Sequence, residues 1–352
     1  MHRPTLTTTA CLILLLTATA SAQTYKPGDK VVVVDQVNLV VSGSEVVDEV
    51  FPGLVLRVGA VKDKWLWLSN GKPGWLDQKH VVPLSRDAIS ALTTALRGKH
   101  SEAYLHNALG FVWMELGEPD IAVDEWTEVI RLVPHHFAGW GNRALAHHES
   151  GDYERAIGDH SEAIRIMLLD SNEQHSAALA KAYSNRAIAL GANEEYLRAI
   201  EDCNKAIRID PEFQFTYHAR GYAHHHLGQY DQAIADYGES IRRDAKFVKS
   251  YSNRAEIRAT CPNAAFRDGE LAIADATKAC ELSNWSDPAH IATLAAAYAE
   301  SGDFDAAIRW QTKAIELAAD DDKQDYRTRL ARYESGQPYR DEPKSAALTQ
   351  AD

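Results

Sequence analysis

The chain has 352 residues, 45% of them hydrophobic, and a formal net charge of −13 at pH 7. This length accommodates two domains and this hydrophobic content supports packed cores, which excludes a protein that is disordered throughout. The acidic balance, with no basic stripe interleaved with aromatic residues, argues against a nucleic-acid partner.

Residues 1–22 predict a secretory signal peptide. Arg3 supplies a positive charge, an apolar run extends from Ala10 to Leu16, and Ala20-Ser21-Ala22 is a small-residue cleavage site. The apolar run is shorter than the roughly 20 residues that a membrane-spanning helix needs. We therefore expect an exported protein, periplasmic or secreted, with no membrane span after signal removal; an uncleaved anchor is the alternative.

Residues 24–84 have the pattern of a small all-β domain. β-branched or aromatic runs alternate with Pro-Gly, Ser-Gly and Asn-Gly turns, and these runs lie at 31–34, 37–41, 54–61 and 65–68. Residues 85–101 are a predicted linker, within which residues 87–96 form a mildly amphipathic stretch that is a candidate lead-in helix.

The second half of the β segment carries Trp65-x-Trp67 and Gly74-Trp75-Leu76, and it ends on the run 81–84, Val-Val-Pro-Leu. These features resemble bacterial Src-homology-3-like (SH3-like) domains, and the resemblance implies a small barrel. Members of that family bind cell-wall peptides or other short ligands through an aromatic groove, which here would use Trp65, Trp67 and Trp75. The alternative is that these tryptophans only fill the barrel.

Residues 102–320 repeat one helix-turn-helix pattern. In the copy from Lys181 to Pro211, small and apolar residues recur three or four apart on both sides of a turn, and the proline ends the second helix. One small residue recurs in the first helices at Gly110, Ala144, Ala187, Gly221, Ala255 and Ala295, and another in the second helices at Ala122, Ala156, Ala199, Ala233, Ala272 and Ala307. Three of the five intervals between the first-helix residues are 34 residues long.

A helix pair of 34 residues is the period of the tetratricopeptide repeat. The chain resembles that family from Ala103 to Ala318, and the resemblance implies an all-α solenoid of about six helix pairs. Residues 259–269, 276–285 and 291–317 are similar to a subgroup of bacterial envelope proteins with these repeats. Residues 321–336 predict a capping helix, and residues 337–352 a disordered tail.

In tetratricopeptide proteins the first helices line a concave groove. Counting repeat positions assigns to it Lys181, Ser184, Ile188, Phe215, His218, Tyr222, His225, His226, Lys249, Ser252 and Glu256. A groove with this mixture of aromatic, histidine and charged side chains suits an extended peptide or a partner's helix. The alternative is a solvated inner face without a ligand.

The sequence lacks the motifs of common active sites. It has no phosphate-binding glycine loop, dinucleotide-binding glycine motif, nucleophile elbow or Cys-x-x-Cys motif, so we expect no enzyme, no catalytic residue and no cofactor. No two of its 15 histidines are three or four residues apart. We therefore expect no metal site, because no helical turn presents a ready pair of ligands.

These patterns together predict a multidomain protein, with a small all-β SH3-like barrel followed by the solenoid. The expected function is that of a non-enzymatic protein–protein interaction scaffold of the bacterial envelope, which binds a protein or peptide in the groove. In the alternative, the SH3-like domain binds cell-wall peptide and the repeats serve only as architecture. The sequence leaves the oligomeric state open.

Overall fold

The computed structural model describes residues 25–33, 37–40, 46–50, 55–69, 74–97, 102–170, 175–321 and 323–342. The chain forms two compact units that divide between Leu116 and Gly117. The predicted signal peptide, residues 1–22, lies outside the described residues. Within the described ranges, none of the helices combines the length and the apolar character that crossing a bilayer requires.

Strands of the first unit form one antiparallel sheet, with β1 (Lys30–Val33), β2 (Val37–Val40), β3 (Val46–Val50), β4 (Val55–Lys62), β5 (Trp65–Ser69), β6 (Gly74–Asp77) and β7 (Val81–Pro83). Their order in the sheet is β3-β2-β6-β5-β4-β1-β7. The predicted all-β segment is therefore confirmed. Over the described residues the sheet is not closed, with β3 and β7 at its edges, and the SH3-like barrel remains a prediction.

Side chains along β5 point alternately to the two faces of the sheet, and only one of these faces forms the core. Leu66 and Leu68 are fully buried, whereas their neighbours Trp65 and Trp67 are partly exposed on the other face. The leucine pair is therefore the core pair, and the tryptophans do not fill the interior beside it.

Helices α1 (Arg86–Arg97) and α2 (Glu102–Glu115) complete the first unit. Val32 of β1, Leu92 of α1 and Leu105 of α2 are buried in one shared core. Thus α1 lies within the stretch predicted as a linker, and α2, predicted as the first helix of the repeats, belongs to the first unit. The predicted domain boundaries remain predictions.

The second unit is helical throughout its described elements. Its helices are α3 (Pro119–Leu132), α4 (Phe137–Glu149), α5 (Tyr153–Leu169), α6 (Ser176–Ala192), α7 (Tyr196–Ile209), α8 (Gln214–His226), α9 (Tyr230–Arg243), α10 (Val248–Thr260), α11 (Gly269–Leu282), α12 (Pro288–Glu300), α13 (Phe304–Leu317) and α14 (Lys323–Glu334). From α4 onwards each even-numbered helix up to α12 packs against the odd-numbered helix that follows it. We call these even-numbered helices the first helices and their partners the second helices.

The small residues lie where each helix pair crosses. Ala187 of α6 and Ala199 of α7 are buried together in one core. Glycine replaces alanine at position 221 because a Cβ atom there would lie 2.9 Å from the ring of Tyr237, which is fully buried. These small residues allow the two helices of a pair to approach each other closely.

Replacing Ala199 with leucine should lower the free energy of unfolding by about 1–3 kcal/mol, because the added atoms have no space in this core. Urea unfolding followed by circular dichroism measures the change. Ala235 on α9 is exposed, so Ala235→Leu is the matched control and should shift stability by less than about 0.5 kcal/mol. Equal midpoints for the two variants would contradict the placement of Ala199.

The C-terminal end of the second unit packs back on the helices. Tyr333 of α14 is buried with Ala295 and Ala307, as expected of a capping helix. Gly336 then reverses the chain with a φ of +67°, a conformation that favours glycine. Residues 337–342, predicted as part of a disordered tail, make specific contacts with α10 and α12 that the sequence pattern did not predict.

Candidate protein-interaction surface

A repeated ion pair links the first helix to the second helix in four of the five helix pairs from α4 to α13. In four successive pairs an arginine of the first helix donates two hydrogen bonds to one aspartate of the second, with N–O distances of 2.6–2.9 Å: Arg143–Asp159, Arg186–Asp202, Arg220–Asp236 and Arg254–Asp275. Such bidentate pairs hold both partners in a fixed orientation.

Two of these arginines also donate a hydrogen bond to the second helix of the preceding pair. Arg186 Nη1 donates to Ser161 Oγ of α5 at 2.9 Å, and Arg220 Nη1 donates to Asn204 Oδ1 of α7 at 2.7 Å. Each guanidinium therefore bridges three helices. These ion pairs and hydrogen bonds set the orientation of the first helices, whose outer side chains form the candidate surface.

The predicted groove residues lie on three first helices that contact in sequence, α6 with α8 and α8 with α10. Lys181, Phe215 and Lys249 are exposed, and so is Ile188. Those that are half-buried are His218, Tyr222, His226, Ser252 and Glu256.

Two of the predicted groove residues are not available to a ligand. Ser184 is fully buried and His225 is buried as well. The His225 ring lies 5.9 Å from that of Tyr230 on the second helix of its own pair, so it packs inside the pair. We leave both residues out of the surface.

Lys181, Phe215 and Lys249 are spaced by 34 residues and so occupy equivalent positions on neighbouring first helices. We call them the Lys-Phe-Lys row. The Phe215 ring is 38% exposed. It lies 5.2 Å from the ring of Phe213 and 5.0 Å from that of Phe247. The row therefore exposes the Phe215 ring between the ammonium groups of Lys181 and Lys249, and the two neighbouring phenylalanine rings hold that ring in place.

A second row crosses the middle of the first helices at Leu145, Ile188 and Tyr222, which share one repeat position. Leu145 is 41% exposed and Ile188 is 36% exposed. We call this the apolar row. Sequence reasoning omitted Leu145, although the repeat counting that identified Ile188 would also have found it on α4.

Tyr222 belongs to an aromatic cluster at the end of the apolar row. Its ring lies 4.3 Å from that of His226, which stacks at 4.9 Å on Tyr196 of α7. The Tyr196 hydroxyl lies 3.2 Å from His226 Nδ1, within hydrogen-bond distance. Burial raises the pKa of Tyr196 and that of Tyr222, so both phenols stay neutral at physiological pH. The cluster offers flat apolar faces with polar edges.

Comparison with known families identifies the helix pairs. Sequence models of the tetratricopeptide repeat match residues 112–166, 180–213, 203–235 and 292–321. The helix pairs within these residues are tetratricopeptide repeats. Proteins with these repeats generally mediate protein–protein interactions and are generally not enzymes. A search of the curated proteins gave no match.

Solved structures of low sequence identity share the fold. A chain of the APC/C hetero-tetramer Cut9–Hcn1 matches with a TM-score of 0.58 and 15% identity, over 70% of this chain and 46% of that one, so this chain spans less than half its length. PilW, described as a widely conserved type IV pilus biogenesis factor, matches with a TM-score of 0.51 and 15% identity, over 61% of this chain and 92% of that one. At this identity the likeness shows the fold alone.

Two histidines within the repeats, His160 and His218, lie in desolvated positions. His160 of α5 is 2% exposed, and burial together with nearby His148 and Arg186 lowers its pKa to about 3. His218 lies between the rings of Tyr237 and Phe247, and desolvation lowers its pKa to about 4. Across the described residues, no group of three or more His, Cys, Asp or Glu side chains is arranged to hold a metal ion.

The tetratricopeptide unit should lose stability as the pH falls below about 6.5. His160 stays neutral when folded and takes up a proton when unfolded, so its contribution is complete above the unfolded pKa and decreases as the pH falls toward the folded value of about 3. The slope is about 1.4 kcal/mol per pH unit, which gives about 2 kcal/mol between pH 7.5 and pH 5.

Urea unfolding of wild type and His160→Gln at both pH values measures this dependence, and the variant should show the smaller difference. His135 is exposed, so His135→Gln is the control and should keep the pH dependence of wild type. An unchanged pH dependence in His160→Gln would show that His160 does not contribute.

The first unit carries its own partly exposed aromatic residues. Trp67 of β5 is directly opposite Trp75 of β6, with ring centroids 5.2 Å apart in an edge-on arrangement. Trp65 is 37% exposed, with Lys64 Nζ 5.6 Å from its ring centroid. These tryptophans lie on the sheet face opposite Leu66 and Leu68. Binding of cell-wall peptide by this face remains a prediction.

Proposed function

We propose that the tetratricopeptide unit is a scaffold that binds an extended segment of a partner protein along its first helices. The observation that carries the proposal is the exposure of large apolar side chains at matched repeat positions, Leu145 and Ile188 in one row and Phe215 in the other. A surface that contacts only solvent does not require large apolar side chains at matched positions of neighbouring helices. Exposed apolar side chains that lie next to each other mark interaction sites. Concave solenoid surfaces suit extended partners.

The charges around Phe215 support a particular kind of segment. Lys181 and Lys249 are exposed at the equivalent positions on either side of it. A segment that places an apolar or aromatic side chain on Phe215 would bring flanking carboxylates to these lysines. The proposed partner therefore presents apolar side chains interspersed with acidic ones, although this chain is itself acidic overall.

The predicted signal peptide and the resemblance of the last repeats to envelope proteins support a location outside the cytoplasm. We therefore propose an envelope protein as the partner, captured from an envelope extract by the immobilised chain from residue 23 onward. A Lys181→Glu, Lys249→Glu double variant should lose the partner that the unmodified chain enriches. It reverses both charges of the Lys-Phe-Lys row and leaves the helices intact.

A matched double variant controls for net charge. Lys278 and Lys313 are solvent-accessible lysines on the second helices α11 and α13, so Lys278→Glu, Lys313→Glu makes the same change in charge away from the rows. It should retain the partner. Loss of the partner in both variants, or in neither, would contradict the proposed surface.

A further inference from the structure

A segment of the chain itself lies across the C-terminal end of the first helices. We call residues 337–342 the strap. It follows α14 and crosses first the end of α12 and then the end of α10. At α12, Arg340 forms an ion pair with Glu300. At α10, Arg340 Nη1 donates a hydrogen bond of 3.1 Å to the Ala259 carbonyl oxygen.

The strap also bonds to α10 through its backbone. The Asp341 N–H donates to the Thr260 carbonyl oxygen at 2.9 Å, and the Thr260 hydroxyl donates to the Asp341 carboxylate. A carbonyl in the last turn of a helix has no partner within the helix. The strap therefore satisfies groups that any extended peptide could satisfy with its own N–H and one carboxylate.

An aromatic residue anchors the beginning of the strap. Tyr339 packs against the core that contains Ala295, Ala299 and Tyr333. The Arg329 guanidinium lies 4.2 Å from the Tyr339 ring centroid. Three consecutive residues, Tyr339, Arg340 and Asp341, thus make an apolar, a basic and an acidic contact in turn.

The contacted helix ends belong to the predicted ligand-binding face. Thr260 on α10 is equivalent by the 34-residue spacing to His226 on α8, which is one of the predicted groove residues. The strap runs from α12 to α10 and so approaches the repeats that carry the Lys-Phe-Lys row and the apolar row.

We propose that the ends of α10 and α12 form a peptide-binding site that the chain's own Tyr339-Arg340-Asp341 occupies. The strap is an intramolecular ligand, and it covers the C-terminal ends of α10 and α12. A partner segment that reaches these helix ends must displace it. This last consequence depends on the proposed function, whereas the occupied site does not.

The test uses a fluorescein-labelled peptide with the sequence of residues 337–346 and measures its binding by fluorescence anisotropy. In the full chain the strap fills the site and the peptide should bind weakly. The full-length variant Arg340→Glu, Asp341→Lys, which we call the opened variant, removes the polar contacts that hold the strap against α10 and α12. It should bind the peptide about tenfold more tightly, because a larger fraction of molecules has a free site.

Peptide variants identify the contacts. A peptide with Arg340→Glu should lose binding to the opened variant. A peptide with Gln337→Ala should keep its binding, because the Gln337 side chain is exposed in the strap. Equal peptide affinity for the full chain and the opened variant would overturn the proposal. So would equal affinities of the two altered peptides.

A second measurement separates this inference from the proposed function. The partner captured on the unmodified chain should bind the opened variant more tightly, and the strap peptide should compete with it. If the peptide binds as expected but no partner is captured, the site stands and the proposed function fails. If a partner is captured but the peptide binds neither chain, the proposed function stands and the strap is only a structural cap.

Discussion

Replacing Asp202 with alanine should lower the free energy of unfolding by about 3–5 kcal/mol. The Asp202 side chain is 4% exposed, and it accepts hydrogen bonds of 2.6 Å and 2.9 Å from the Arg186 guanidinium. Its removal leaves the Arg186 charge in a largely buried position without its carboxylate. Breaking one half of such a pair costs far more than the pair contributes, because the remaining charge is desolvated. Urea unfolding measures the loss.

Two further variants test whether the loss of stability comes from the unpaired Arg186 charge. Glu201→Ala changes the exposed neighbouring carboxylate and should shift stability by less than about 0.5 kcal/mol. The double variant Arg186→Leu, Asp202→Leu should be less destabilised than Asp202→Ala, since it leaves no unpaired charge. The last repeat favours this expectation, because its equivalent positions hold Leu294 and Trp310. Equal losses for Asp202→Ala and Glu201→Ala would show that the pair does not organise the repeat.

The second large effect is expected on binding. The double variant Phe215→Ala, Tyr222→Ala should weaken the affinity for the captured partner by about 30-fold or more, which corresponds to about 2 kcal/mol. Aromatic side chains dominate interface energies when neighbouring residues hold them in place. Phe213 and Phe247 support Phe215, and His226 supports Tyr222. Titration calorimetry with the partner segment measures the change.

The control for this variant removes two exposed leucines from second helices. Leu197 of α7 and Leu271 of α11 are both about half exposed, and Leu197→Ala, Leu271→Ala should leave the affinity within about twofold of wild type. Thermal melting of both variants shows whether the fold is kept, since Tyr222 also packs in a core. Similar affinities for the two variants would contradict the assigned surface.

The helix pairs were predictable from the sequence because their determinants are local and repeated. A small residue recurs at each crossing, as at Ala187 and Ala199, and the spacing fixes which first-helix residues are equivalent. Burial at a given position was less predictable. Ser184 and His218 share one repeat position, yet Ser184 is fully buried whereas His218 is half-buried. The burial of a side chain depends on the side chains of the adjacent helices, and the repeat position does not specify those.

Contacts between distant residues were not predictable from the pattern. Arg254 pairs with Asp275, 21 residues away, whereas the pair in each of the three preceding repeats is 16 residues apart, because the turn after Cys261 is longer. The strap is the clearest case: Asp341 and Thr260 are 81 residues apart. Its short polar sequence resembles a disordered tail, and only the folded helices supply its partners.

In the β segment, the alternation of side chains along a strand accounts for the position of Trp65 and Trp67 on one face of β5 and of Leu66 and Leu68 on the other. It did not indicate that the leucine pair is the buried one. The order of the strands in the sheet could not be predicted either. Strand β2 pairs with β3, its neighbour in the chain, and also with β6, which is distant in the chain. Pairings of this kind follow from the fold of the whole segment rather than from any one strand.

Site-specific photo-crosslinking tests most directly whether a partner lies along the first helices. A photoreactive amino acid would replace Ile188 in the apolar row and, in a separate chain, Leu197 on the second helix α7. Irradiation in envelope extract should give one crosslinked protein from position 188 and no specific product from position 197. The same product from both positions, or from position 197 alone, would contradict the proposed binding surface.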